Sequence, residues 1–235
     1  MALPKLNTPT YELELPSTAE KIKYRQCLVK EQKVLMMAQD SGEDQQIAEA
    51  MGNLVSSCTF GKVDAETSPM FDLEYVFLKV RGKSVGETVQ LSLICPDDER
   101  TTVPVNLKLD DIEVQMLDNH TNEINISESV KVVFRYPLLN DMKSMDKDST
   151  DIQKVFHFLV NCMHEIHYDD DVYRRIDLKD KEIEDFIDQF TGEQFELITN
   201  FFNSMPKLRH TVEVTNPKTK VKSEVVLEGL ESFLG

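Results

Sequence analysis

The sequence predicts an α+β fold, several antiparallel β-hairpins with helices grouped between them. Three observations lead to it. Apolar residues alternate with period two in three pairs of segments, each pair divided by a Pro-containing turn. Between those pairs the apolar residues recur at helical spacing instead. The 8 Gly and 9 Pro fall singly between patterned segments, so no long flexible linker separates the parts.

From the N-terminus, Tyr11, Leu13 and Leu15 alternate on one side of Pro16-Ser17-Thr18, and Ile22 and Tyr24 on the other, which predicts a hairpin over residues 10–28. Helices follow over Val29 to Ala38 and Asp44 to Cys58, broken at Ser41-Gly42. In the second, Ile47, Met51, Leu54, Val55 and Cys58 share a stripe. The strongest helix signals lie between Ser68 and Gly82. Ser68 can cap, Pro69 suits the first turn, and Asp72 and Glu74 lie toward the positive end. Lys79 and Arg81 lie in the last turn, and Gly82 is placed to terminate the helix. A second hairpin pairs Val89, Leu91 and Leu93 with Val103, Val105, Leu107 and Leu109 across Pro96-Asp97-Asp98, and strand-like runs follow at Glu113 to Leu117 and Val130 to Tyr136.

Beyond Pro137 the pattern turns helical. Ile152, Val155, Phe156, Leu159 and Met163 form a stripe behind a Thr150/Gln153 capping box. Two shorter helices are expected from Lys179 to Phe190 and, behind a Thr191/Gln194 box, to Asn203. The last hairpin pairs His210 to Thr215 with Lys220 to Leu227. The chain thus divides into an N-terminal α+β region, 1–137, and a C-terminal helical region ending in a hairpin, 138–235.

Composition narrows the function. Asp and Glu outnumber Lys and Arg by 42 to 26, a formal net charge of −16, which repels the phosphates of nucleic acids and of an anionic membrane surface. The apolar runs fall far short of the roughly 20 residues of a membrane span. The N-terminus lacks the pattern of a signal peptide, so synthesis in the cytoplasm of a soluble protein is expected. Cys27, Cys58, Cys95 and Cys162 form no CxxC pair and are expected to be free thiols.

One cluster suggests chemistry. His157, His164 and His167 lie with Cys162, Glu165 and Asp169, Asp170 and Asp171 in fifteen residues, and a metal-dependent hydrolase would use such donors. The spacing argues otherwise: His164 and His167 are three apart where a zincin helix needs four, with no Glu at the required place between them. A helix end with polar side chains, followed by an acidic solvated bend, is the expected arrangement. A calcium loop starting at Asp169 fails at Arg174 and Asp180, which stand where Gly and Glu are needed. Gly82-Lys83-Ser84 follows a helix where a phosphate loop would open one. No catalytic, cofactor-binding or metal-binding residue is therefore assigned. The methionines Met36, Met37, Met51 and Met163, with Phe195, Phe201 and Phe202, are expected in the core.

Two hairpins share a layout that sets Cys95 opposite Asn216 and Pro96 opposite Pro217. The Cys-Pro turn is a common setting for a zinc knuckle, but the fourth positions are Asp98 and Thr219. No metal clip is expected, and apolar packing would have to replace it.

Four segments together resemble the baseplate hub and hub-assembly proteins of T-even-type contractile-tailed phages: MALPKLNTPTYELELPSTAEKIKYRQCLVKEQKVLMMA, FGKVDAETSPMFDLEYVFLKVRGKSVGE, LICPDD and VVLEGLESF. The resemblance spans the chain and is strongest in the first hundred residues. It implies a non-enzymatic part in building the central hub, which must exist before wedges and tail tube are added. The partners would be other hub or tail proteins, and the place of action the host cytoplasm, then the virion. Two variants are open: a component of the virion, or a chaperone absent from it.

Overall fold

The computed structural model describes residues 6–144 and 150–234 and shows an α+β protein whose sheets are all small and antiparallel. Residues 1–5 of the opening segment, and the Ile152 side chain assigned to the helical stripe, lie outside what is described. By Cα proximity the chain forms two compact units, Met1–Gln115 with Lys207–Gly235, and Met116–Pro206. The closing hairpin returns to the first unit, so this division is discontinuous in sequence, and the break read after Pro137 lies inside the second unit.

The first unit opens with the hairpin β1 (Thr10–Glu14) and β2 (Lys21–Arg25), in which Leu13 faces Ile22. Helices α1 (Val29–Ser41), α2 (Asp44–Cys58) and α3 (Met70–Ser84) follow. Gly42, in the left-handed region at φ 67°, ends α1 as the Ser41-Gly42 signal predicts. Next come the hairpin β3 (Thr88–Ile94) and β4 (Thr102–Lys108) and the short β5 (Glu113–Gln115). In the second unit, β6 (Glu123–Asn125) and β7 (Val130–Phe134) precede α4 (Leu139–Lys143) and α5 (Asp151–Cys162). Then come β8 (Met163–Tyr168), β9 (Asp171–Arg174), α6 (Asp180–Ile187) and α7 (Gly192–Ser204). The chain re-enters the first unit as β10 (Lys207–Thr215) and β11 (Lys222–Glu228), which with β5 form a sheet ordered β11-β10-β5.

Helix α3 is the axis of the first unit. Phe71, Leu73, Val76, Phe77, Leu78 and Val80 are all buried on it, as expected of a helix covered on every side. Two of its charged residues, Asp72 and Lys79, are buried too. Lys79, read as a last-turn cation, instead donates through Nζ to the carbonyls of Leu109 (3.3 Å), Asp110 (2.9 Å) and Ile112 (3.2 Å). Asp72 accepts from the Ser17 N–H at 3.1 Å and from the Ser17 hydroxyl, tying the first hairpin turn to the helix. The cap is Pro69 rather than Ser68, and it makes no side-chain bond. Gly82 does not stop the helix: α3 runs on to Ser84, while Leu109 packs against Gly82. A Cβ at this position would meet the Leu109 side chain at 3.7 Å, an ordinary contact, so nothing in the packing demands glycine there.

In the second unit the sheet runs β6-β7-β8-β9. Ile124, Val132, Phe134, Met163 and Ile166 on its strands pack with Leu159 of α5, Ile183 of α6 and Ile198 of α7. Both Thr capping boxes form. Thr150 and Thr191 each accept from the Gln N–H three residues on, and that Gln side chain accepts in return, at 2.8 Å and 2.9 Å. The expected helix end is corrected here: α5 stops at Cys162, and Met163 turns extended (φ −66°, ψ 115°) to begin the β8–β9 hairpin, whose exposed turn is the acidic bend at Asp169 and Asp170.

One arrangement occurs in both units. Arg25 leaves β2 and donates to Glu31 (Nη2 to Oε1, 2.9 Å) and to the Gln26 carbonyl (3.0 Å), while the other Glu31 oxygen accepts the Leu28 N–H at 2.8 Å, at the start of α1. Arg135 leaves β7 and grips Asp141 with both nitrogens (2.7 and 2.8 Å) and the Tyr136 carbonyl (3.0 Å), while Asp141 accepts the Leu138 N–H at 2.8 Å. The spacing is identical: Arg, a Leu three on and an acid six on, with Tyr24 or Phe134 buried just before. The second helix of each set ends in a buried cysteine beside that arginine. The Cys58 Sγ lies 3.7 Å from Arg25 Nη1, and the Cys162 carbonyl accepts the Arg135 N–H at 2.8 Å.

Breaking such a pair strands a buried carboxylate. Arg25→Met is expected to lower the urea-unfolding free energy by about 3 kcal/mol, whereas Lys23→Met, whose exposed ammonium lies 3.9 Å from Glu12, changes it by less than about 1 kcal/mol.

Candidate functional site

The three histidines do not converge. His157, on α5, lies with Nε2 2.8 Å from the Asp141 carbonyl and 3.1 Å from the Ser144 hydroxyl. His164 is exposed on β8, and His167 pairs with Glu165 at 2.9 Å. The strand explains the separation, since successive side chains on β8 leave opposite faces and none follows the helical turn that carries His157. Among the described residues no group of three or more His, Cys, Asp or Glu is placed to hold a metal ion. Asp169 and Asp170 form the exposed β8–β9 turn, with Asp169 in the left-handed region at φ 50°. His120, which no sequence pattern singled out, bonds Ser204 (2.9 Å) and Tyr136 (3.1 Å) and stacks on Phe201, and burial holds its pKa below the usual value.

All four cysteines are free thiols, and burial pushes Cys58 and Cys162 up to about 12, so neither carries appreciable thiolate at neutral pH.

The equivalence of Cys95 and Asn216 holds in backbone detail. Each is followed by Pro and accepts an N–H four residues on, from Glu99 or Lys220, both at positive φ; Leu15, Pro16 and Ala19 repeat the turn in β1–β2. Where apolar packing was expected to replace a metal clip, hydrogen bonds also join the two turns. Asp97 accepts from the Asn216 amide (3.0 and 3.1 Å) and from the Thr219 hydroxyl at 2.5 Å, and these bonds hold its carboxyl below the usual range. Asp98 is engaged in turn by the Thr101 N–H and hydroxyl.

What remains open to a partner is apolar surface. In the first unit α1 packs chiefly on α2, and its clamp buries Glu31 while much of its apolar surface faces outward. Val29 is 81%, Val34 53%, Met36 56% and Met37 63% exposed, so the two methionines expected in the core are on the surface. Beside them Val34, Ala50 and Leu54 line a groove of about 250 Å³, with Lys30 at its edge. Exposed flexible methionines next to an apolar groove suit a protein contact. In the second unit, Val130, Ile166, Tyr173, Leu178 and Phe186 line a recess of about 240 Å³ next to the β8–β9 hairpin. Among the described residues no helix is long and apolar enough to cross a membrane.

One carboxyl titrates in the neutral range. Burial, and then the neighbouring Glu231 carboxylate, push Glu74 up to about 7 against the pull of Lys207 and the Leu230 N–H. Its folded pKa exceeds the ordinary 4.5, so the stability present below about pH 4.5 is lost as pH rises through about 7. Glu74→Gln is expected to raise unfolding free energy at pH 8 by roughly 2 to 3 kcal/mol relative to the parent and to make little difference at pH 4.5. Paired denaturation curves at the two pH values check this.

Small antiparallel sheets with helices between them define the class as an α+β protein that carries exposed apolar faces. Over residues 8–235 the chain matches the family model described as T4 bacteriophage base plate protein, and it belongs to that family. No curated protein and no solved structure gives a significant match. The resemblance drawn from the opening segment, the α3 block and the two hairpin segments therefore holds at the level of the baseplate.

Proposed function

We propose that this protein is a structural or assembly protein of the central baseplate hub of a contractile phage tail, working through contacts with other hub or tail proteins and catalysing no reaction. The family match over 8–235 is the observation that carries the proposal. The hub assignment draws on the likeness of the whole opening segment and the α3 block to hub proteins. Contact as the mode of action is supported by α1, whose outward Val34, Met36 and Met37 border an apolar groove. The alternative of a metal-dependent hydrolase would need His157, His164 and His167 to meet, and they lie on a helix and a strand with separate partners. The protein would be made and used in the host cytoplasm during assembly and retained in the tail if it is a component.

Quantitative peptide mass spectrometry of purified virions and of infected-cell lysate separates the two forms of the proposal. A fixed small copy number in virions identifies a hub component; abundance in lysate with absence from virions identifies an assembly chaperone. Val34→Glu with Met37→Glu, both on the exposed face of α1, is expected to leave the melting temperature within a few degrees of the parent. The same variant is expected to reduce infectious particles by at least roughly tenfold. Undiminished particle yield would remove α1 from the contact surface.

A further inference from the structure

Strand β9 closes one side of the sheet of the second unit, bonded to β8 and, among the described residues, to no other strand. All four of its residues are exposed; Val172 is 50% and Tyr173 45% accessible, and Ile176 just beyond is 89%. Pairing in an antiparallel ladder alternates, so every second residue of an edge strand turns its N–H and C=O outward, ready for another strand. Proteins commonly guard such an edge with charges, and here the charges are ordered. Residues 169–175 read Asp-Asp-Asp-Val-Tyr-Arg-Arg, with three acids at one end and two cations at the other.

That order is self-complementary. A twofold axis perpendicular to the sheet keeps each face continuous across the junction, because opposed residues in a ladder point to the same side. Adjacent residues point to opposite sides, so the numbers of opposed residues must sum to an even value. Centred on Val172, the pairing sets Val172 against itself, Tyr173 against Asp171 of the partner subunit, and Arg174 against Asp170 of the partner subunit, twice over. Arg174 is available for this: its side chain is 70% exposed and its Nε lies a loose 3.8 Å from Glu165. Arg175 is already engaged with Asp180 and is not needed. A parallel strand of the same sequence would bring acid to acid and cation to cation.

We infer that the β9 edge is an isologous dimer interface, in which two copies of this chain join their four-stranded sheets into one of eight strands about an axis through Val172. The apolar area around Val172, Tyr173 and Ile176 adds burial, but a four-residue strand is a small contact, so the dimer is weak and forms at roughly micromolar concentration and above. The inference is independent of the place of the protein in the hub.

Sedimentation velocity of the full chain, from about 1 to about 200 µM, tests it. The mass should rise from 27.0 kDa to twice that value with concentration. Asp170→Arg and Arg174→Asp each set like charges against each other at two places across the axis, and each should raise the dissociation constant by roughly tenfold. The double variant Asp170→Arg/Arg174→Asp restores both pairs and should recover the parental value. Val172→Asp puts two carboxylates face to face on the axis and should leave a monomer whose circular dichroism and melting match the parent. A chain that stays at 27.0 kDa throughout overturns the inference. So does a dimer indifferent to these substitutions, or a charge swap that weakens association without recovery in the double variant.

Discussion

The contact on which both units depend is a guanidinium that leaves the end of a strand and holds the acid of the following helix. Each arginine faces two tasks at once. It satisfies a carbonyl in the bend, of Gln26 or Tyr136, and it fixes the carboxylate that also accepts the Leu28 or Leu138 N–H at the helix start. Hairpin and helix are thereby set at one angle, and the apolar residues just before the arginine, Tyr24 and Phe134, are carried into the core. Burial works against the charge on Glu31, and the Arg25 and Leu28 hydrogen bonds overcome it, so its pKa is lowered rather than raised. Removing either partner would reverse that balance. Among the described residues no buried side-chain nitrogen or oxygen lacks a hydrogen-bond partner, so the polar groups that enter these cores do so already matched.

Much of this was legible in the sequence, and the misses have physical reasons. The three Pro-turn hairpins and six of the helices declared themselves through period and capping, because local chemistry decides them: Gly42 at a left-handed position, and Thr150 and Thr191 with their Gln partners. The hairpin of β8 and β9 did not. Met163 continues the α5 stripe one turn past Leu159, and the polar Met-His-Glu-Ile-His-Tyr run gives no clean alternation, so a change of backbone conformation at one residue went unseen. Lys79 shows the opposite limit. A lysine in the last turn suggests a helix dipole interaction, whereas only the return of Leu109, Asp110 and Ile112 in space gives its ammonium three carbonyls. The doubled clamp was present in the letters, as Tyr-Arg-x-x-Leu-x-x-Glu and Phe-Arg-x-x-Leu-x-x-Asp, but its spacing has meaning only once strand and helix are known to meet there.

The candidate site was less legible than the fold. Motif spacing left His157, His164 and His167 without an assigned role, and they stand on α5 and β8 with separate partners. The outward Met36 and Met37 ran against expectation, since a methionine on a helical stripe is ordinarily packed inside. They are exposed because α1 is held by its clamp and by α2 while its other faces stay uncovered. A helix packed on α2 along one side and bare along the other fits the contact role proposed above.

The proposal that this chain builds the hub is tested most directly by electron microscopy of the particles that sediment from cells infected with phage lacking it. The account predicts wedges and other tail parts without assembled central hubs, corrected when the intact chain is supplied. Complete hubs and baseplates formed in its absence would contradict it.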